Sequence, residues 1–165
     1  MNYLILILRL IHILSGIFWV GSALMMTFFI GPTASATAQA GQQFMQHFIT
    51  KTNIQRMMIA SAFSTVIAGA LLYADKPSAW FASSAGKGFG IGAVFAVIGL
   101  VFGILIGRLT NSIIQLGGQI KGQPTAEQLA QLQLLQNRQR LFSTINAYSL
   151  ILAVAFMATA RYFTF

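Results

Sequence analysis

Apolar residues run almost unbroken from Leu4 to Ile30, with Arg9 as the single charge, and three further apolar runs follow at about 54–74, 88–108 and 141–163. A helix that spans a bilayer needs about 20 apolar residues. Each run meets that length, so the pattern predicts an all-α, integral membrane four-helix bundle forming one domain over residues 1–165. Gly31-Pro32 reads as a stop closing the first span, and the small, mildly polar residues 33–40 as a short connection. From Gly41 to Asn53 the pattern turns amphipathic. Phe44, Met45, Phe48 and Ile49 keep a helical rhythm, while Gln42, Gln43, Gln46 and His47 fill the other face. No breaker precedes the second span, which predicts one long helix whose first turns stand outside the bilayer. Asp75-Lys76-Pro77-Ser78 is a predicted turn, and 79–87 an interfacial stretch with Trp80 and Phe81 at headgroup level.

In the third span, Gly88-x-x-x-Gly92 and Gly99-x-x-x-Gly103-x-x-x-Gly107 place small residues on one face, where a neighbouring helix approaches closely. Residues 117–124 form a loop. Thr125-x-x-Gln128 has capping-box spacing and opens a Gln/Leu-rich helix, with Leu129, Leu132 and Leu135 on one side, that runs into the fourth span. Helices 2 and 4 are therefore expected to extend beyond the bilayer on one side and pack there as a hairpin. Asn53-Ile54-Gln55-Arg56 and Asn137-Arg138-Gln139-Arg140 precede spans two and four in parallel fashion, the pattern of a duplicated two-helix unit.

Composition agrees with the pattern: 7% of the residues are charged, against about 25% in soluble domains. The absence of cysteine excludes disulfides, thiolate metal sites and iron–sulfur clusters. The net charge of +8 is spread singly over the span ends, which fits membrane lipids with anionic headgroups and not nucleic acid. Lys51, Arg56, Arg108, Lys121, Arg138 and Arg140 fall on one side, and Arg9, Lys76, Lys87 and Arg161 on the other. The first side is then cytoplasmic and both termini outside. Ala34-Ser35-Ala36 has the form of a cleavage site, but the preceding apolar run is longer than the ~7–15 residues of a signal core, so the first span is read as retained.

Chemistry concentrates in Arg9-Leu10-Ile11-His12. Arg9 and His12 share a helix face, and an imidazole inside a span needs a partner, an interior or a function. His12 is either an interhelical hydrogen-bonding residue or an axial ligand to haem iron, with Arg9 as partner for a propionate. Trp19, two turns on, either lines a ring-shaped cofactor or packs the core. By depth, Met157 is the one methionine that matches His12, as a second ligand to haem iron or to Cu(I), or as apolar packing. His47, beyond the opposite face, reads as a solvated histidine. Asp75 and Glu127 are the only carboxylates, so paired acid–base catalysis has no residues to work with, and no acidic residue lies in a span to couple ions.

Arg9-x-x-His12, Ser15-Gly16, Trp19-Val20-Gly21 and the close at Ile30-Gly31-Pro32 resemble the small four-helix bacterial membrane proteins of the copper resistance protein D (CopD-like) superfamily. The first-helix pattern is also similar to the haem-associated HemJ-type protoporphyrinogen oxidases, although Ser22 to Thr27 departs from the Tyr/Pro/Arg-containing segment that follows the Trp there. The resemblance covers about residues 9–32. It implies a multi-pass protein of the bacterial inner (plasma) membrane whose His12 holds haem b or copper. Three expectations follow. The first is a redox protein with His12 as axial ligand, exchanging electrons with a quinone or a larger membrane complex. The second is a cofactor-free accessory subunit, docking as a homo-oligomer or hetero-subunit through the Gly face of the third span. The third is copper transport or resistance through His12 and Met157.

Overall fold

A computed structural model describes residues 3–120 and 122–163, and every regular element among them is helical. Lys121, counted above on the more basic side, lies outside the described residues.

Helix α1 (Tyr3–Met25) passes through one π-helical turn (Met26–Ile30) into α2 (Gly31–Ala36), so Gly31-Pro32 does not stop the helix as expected. Pro32 has no N–H, and its ring crowds the carbonyl four residues back. The π turn, in which Gly31 N–H bonds the Met26 carbonyl five residues back, opens the ladder at that place and lets the chain run on through the proline. The connection expected at 33–40 is accordingly mostly helix. It reverses at Ala38 (φ 46°) into α3 (Ala38–Lys51). The reversal brings α3 so close to α2 that a Cβ at position 41 would meet the Ala34 carbonyl oxygen, a contact that only Gly41 avoids.

A second correction concerns the long helix expected over 41–74. It is broken at Thr52, which is extended (φ −106°, ψ 162°), and α4 (Ile54–Ala74) starts afresh. The Thr52 hydroxyl donates to the Phe48 carbonyl and accepts from Ile54 N–H at 3.3 Å. Such local bonds let threonine compete with helix continuation. The turn at 75–77 forms as predicted and leads through the four-residue α5 (Ser78–Phe81) into α6 (Ser84–Gln119). Trp80 stacks among Tyr73, Phe81 and Phe89, with Lys76 Nζ 5.9 Å from its ring. The last helix, α7 (Ala126–Thr159), opens with the predicted capping box: Gln128 N–H donates to Thr125 Oγ1 at 3.2 Å, and Thr125 N–H to Gln128 Oε1 at 3.0 Å. It closes in a 3₁₀ turn (Ala160–Tyr162).

The helices pack as two antiparallel pairs, α1 on α4 and α6 on α7, joined by contacts of α1 with α7 and of α4 with α6. Trp19 is the joint. It is 3% exposed and packs with Ala23 of its own helix, Ala62 of α4 and Leu150 of α7, flanked by Val20, Met58, Val66 and Leu100. Four helices, Tyr3–Ala36, Ile54–Ala74, Ser84–Gln119 and Ala126–Tyr162, are long and apolar enough to cross a membrane.

Their lengths revise the expected extramembrane hairpin. At ~1.5 Å per residue, the 21 residues of α4 just span a hydrocarbon layer of about 30 Å, whereas α6 and α7 have 36 and 34 residues. Helices three and four, not two and four, therefore run on together past the start of α4. Gln139 Nε2 donates to Thr110 Oγ1 at 2.7 Å in this stretch, and Leu116 is buried. Of the three leucines expected on one side of this helix, Leu132 and Leu135 are half-buried and Leu129 is exposed. The two segments that suggested a repeat sit differently: Asn53 is the N-cap residue of α4, with no side-chain cap bond, and Asn137 lies inside α7.

Candidate functional site

The interior stripe of α1 is His12, Ser15, Gly16, Trp19 and Ala23, residues spaced to fall on one helical face. It meets Ala62, Thr65 and Gly69 of α4. Both helices use small residues to approach. A Cβ on Gly16 would reach only ordinary contact with Thr65 Cγ2, at 3.5 Å. Gly69 is the tighter position: a Cβ there would lie 2.8 Å from His12 Cε1 and 2.9 Å from Nδ1. The imidazole thus turns its Cε1–Nδ1 edge to α4, in the space that Gly69 leaves.

Its orientation is fixed by one bond. His12 Nδ1–H donates to the Thr65 carbonyl oxygen at 2.8 Å; a carbonyl only accepts, so the proton is on Nδ1. In the neutral ring the lone pair is then on Nε2, and a backbone bond from Nδ1 with Nε2 left for a ligand is the usual setting of a ligating histidine. Hydroxyls brace the same seam. Ser15 Oγ and Thr65 Oγ1 are 2.8 Å apart, Thr65 Oγ1 donates to the Ser61 carbonyl at 2.7 Å, and Ser61 Oγ donates to that of Met58 at 3.0 Å. The single Ser15 hydroxyl hydrogen is shared between Thr65 Oγ1 and the Ile11 carbonyl of its own helix.

Burial falls along the stripe, from Trp19 and Ala23 in the core to half-buried His12 and exposed Arg9. The site therefore opens toward the α1 N-terminal end. Arg9 stands at that opening one turn from His12. On the outer flank of the same seam, Leu8, Ile11, Ser64, Ile67, Ala68 and Leu71 line a shallow apolar groove.

The four sequence-predicted site residues are placed differently. Arg9 and His12 share the opening, and Trp19 is buried where packing alone accounts for it. Met157 is seated on the other pair: its Cγ lies 2.8 Å from the Cβ position of Gly92 on α6. His12 is seated on α4 and Met157 on α6, so the two do not share a helix seam. His47, on the exposed polar face of α3 beside Gln43, Gln46, Thr50 and Lys51, is solvated as expected. No group of three or more His, Asp or Glu side chains comes together among the described residues.

The residues that composition and spacing missed are Gly69, Thr65 and Ser15. Their signal was present: Ser61, Thr65 and Gly69 recur every four residues, a small-and-polar ridge of the kind that close-packed membrane helices share.

The glycine face of α6 is used within the chain. Gly88 meets Ala160 and Phe163, Gly92 meets Met157, and Gly99 meets Leu150, all on the α7 side. Asn146 Nδ2 donates to the Gly99 carbonyl at 2.6 Å, fully buried. No family model, no curated protein and no solved structure gives a match to this chain.

Proposed function

We propose that this chain is a multi-pass membrane protein whose four long helices form a transmembrane bundle, and that His12 is the axial ligand of a b-type haem. The observation that carries the reading is the Nδ1–H bond to the Thr65 carbonyl, which leaves Nε2 for iron. Gly69 leaves room for the imidazole itself, and the decline in burial toward Arg9 fits a planar group entering from the open end. When bound, a haem supplies one-electron exchange. The chain's own residues do the rest. Thr65 holds the imidazole's tautomer and angle, Ser15 pins α1 to α4, and Arg9 offers a guanidinium to a propionate. A quinone or a larger membrane complex is the electron partner of this reading. The resemblance of residues 9–32 to CopD-like and HemJ-type proteins is in keeping with it, as is a bacterial inner-membrane location with both termini outside.

The placement of Met157 on α6 favours ligation by His12 alone on the protein side, and weighs against copper handling by a His12–Met157 pair. A second reading, a cofactor-free accessory subunit, is favoured by a different observation: the same His12 bond is also sufficient as an interhelical tie. An absorption spectrum separates the two. Protein extracted gently from its membrane, oxidised and then dithionite-reduced, is expected to show a Soret band that shifts on reduction and is lost in His12→Ala. A flat visible spectrum from fully helical protein would overturn the haem reading in favour of the subunit.

A further inference from the structure

Arg56, Arg108, Arg138 and Arg140 are scattered in sequence, yet the structure brings them to one level. Gln55 Nε2 lies 3.7 Å from the Cβ position of Gly107, which sets the first turn of α4 beside that part of α6. Gln139 Nε2 donates to Thr110 Oγ1 at 2.7 Å, which sets α7 beside the next turn of α6. Each arginine neighbours one of these tie points in sequence, so all four fall within about one and a half helical turns of height, ~5–8 Å at 1.5 Å per residue.

All four are exposed. No carboxylate shares the level, because Asp75 follows the far end of α4 and Glu127 is in the first turn of α7. Directly on the other side of the level, the apolar surface begins: Met57 is 51% exposed, Ile104 41% and Leu141 57%. A ring of uncompensated guanidiniums bordering an exposed apolar surface is the arrangement that a phosphate plane above acyl chains would complement.

We propose that this level is an anionic phospholipid site: the four arginines grip the phosphates of lipids such as phosphatidylglycerol at one membrane face and fix how deep the helices sit. The inference rests on the membrane reading and is independent of haem. Near an anionic surface each Lys or Arg contributes about 1 kcal/mol, so each arginine removed should weaken anionic-lipid retention roughly fivefold at low salt.

The test uses the whole chain in nanodiscs containing phosphatidylglycerol and phosphatidylcholine in equal amounts, followed by gentle detergent extraction and mass spectrometry of the lipid retained. Wild type should keep phosphatidylglycerol selectively, and 0.5 M salt should reduce that selectivity. The Arg56→Gln, Arg108→Gln, Arg138→Gln, Arg140→Gln variant should lose it, while Lys76→Gln, Lys87→Gln, Arg161→Gln at the opposite end should keep it. Equal retention of both lipids by wild type, equal loss in both variants, or replacement of the lipid by an acidic protein bound at the arginines would overturn the proposal. Alkaline carbonate washing of native membranes tests the underlying reading separately. Release of the wild-type chain would sink the membrane reading, whereas retention with no lipid preference would sink only the site.

Discussion

The two helix pairs solve the same problem with opposite chemistry. Both bring backbones close through small residues. On α6, Gly88, Gly92 and Gly99 receive Ala160, Met157 and Leu150, and Asn146 bonds the Gly99 carbonyl in the buried part of the seam. On α4, Gly69 receives an imidazole, and the rest of the seam is a ladder of hydroxyls and carbonyls through Ser15, Thr65 and Ser61. The first seam is built to hold. The second holds as well, but through a half-buried imidazole whose Nδ1 is tied to the Thr65 carbonyl. Glycine spacing alone does not distinguish a packing seam from a functional one; what occupies the space opposite the glycine does.

The largest effect should come at the joint between the pairs. Trp19→Ala removes the side chain that α1, α4 and α7 share and should destabilise the fold by about 3–5 kcal/mol, read as a lower unfolding midpoint in mixed detergent. Trp19→Phe should keep most of that stability and leave any visible spectrum in place. Loss of the spectrum in a stable Trp19→Phe protein would move Trp19 from the core into the cofactor site.

Next in size is the packing seam. A Cβ at Gly88 would stand 3.0 Å from the Ala160 Cα, a backbone atom that cannot swing aside. Gly88→Val should therefore push α6 from α7 and cost about 2–3 kcal/mol, with no specific effect on His12. If Gly88→Val abolished ligand binding at unchanged stability, the division of labour between the pairs would be wrong.

The α1–α4 seam should respond in the reverse manner if His12 holds the proposed haem. Gly69→Ala places a methyl 2.8 Å from His12 Cε1 and should turn the imidazole off the Thr65 carbonyl. Stability should fall by about 1 kcal/mol, the size of one hydrogen bond, while the Soret absorbance should fall several-fold. Full absorbance in Gly69→Ala would show that the seat is not needed. The smallest effect is expected at Ser15→Ala, where one of several interhelical bonds is lost. Such bonds average about 0.6 kcal/mol in membrane helices, so a thermal shift of a degree or two with an unchanged spectrum is the predicted result.

Much of this was legible in the sequence because long apolar runs and caps are local signals. The four long apolar helices, the end of α4, the turn at 75–77 and the Thr125 capping box need no tertiary information. The errors lie where one local signal overrode another. Pro32 reads as a stop, and a π turn carries the helix past it. Thr52 reads as an ordinary helical residue, and its hydroxyl bonds break the helix. His12 was identifiable as the one imidazole inside a span. Its seat was not, since Gly69 and Thr65 are 50 and more residues away and nothing in their own segment marks which side chain they receive. Met157 shows the limit of arguing from depth: direction is a property of the packed pair, and here it points to α6.

Cavity rescue tests most directly whether Nε2 of His12 is the ligand. His12→Gly, extracted gently, loaded with haem and then freed of unbound haem, should retain no Soret band. Free imidazole at millimolar concentration should restore protein-retained haem, because the space on Gly69 is preserved and only the tether is lost. A Soret band retained by His12→Gly without imidazole would contradict ligation by His12 and place the iron on another residue.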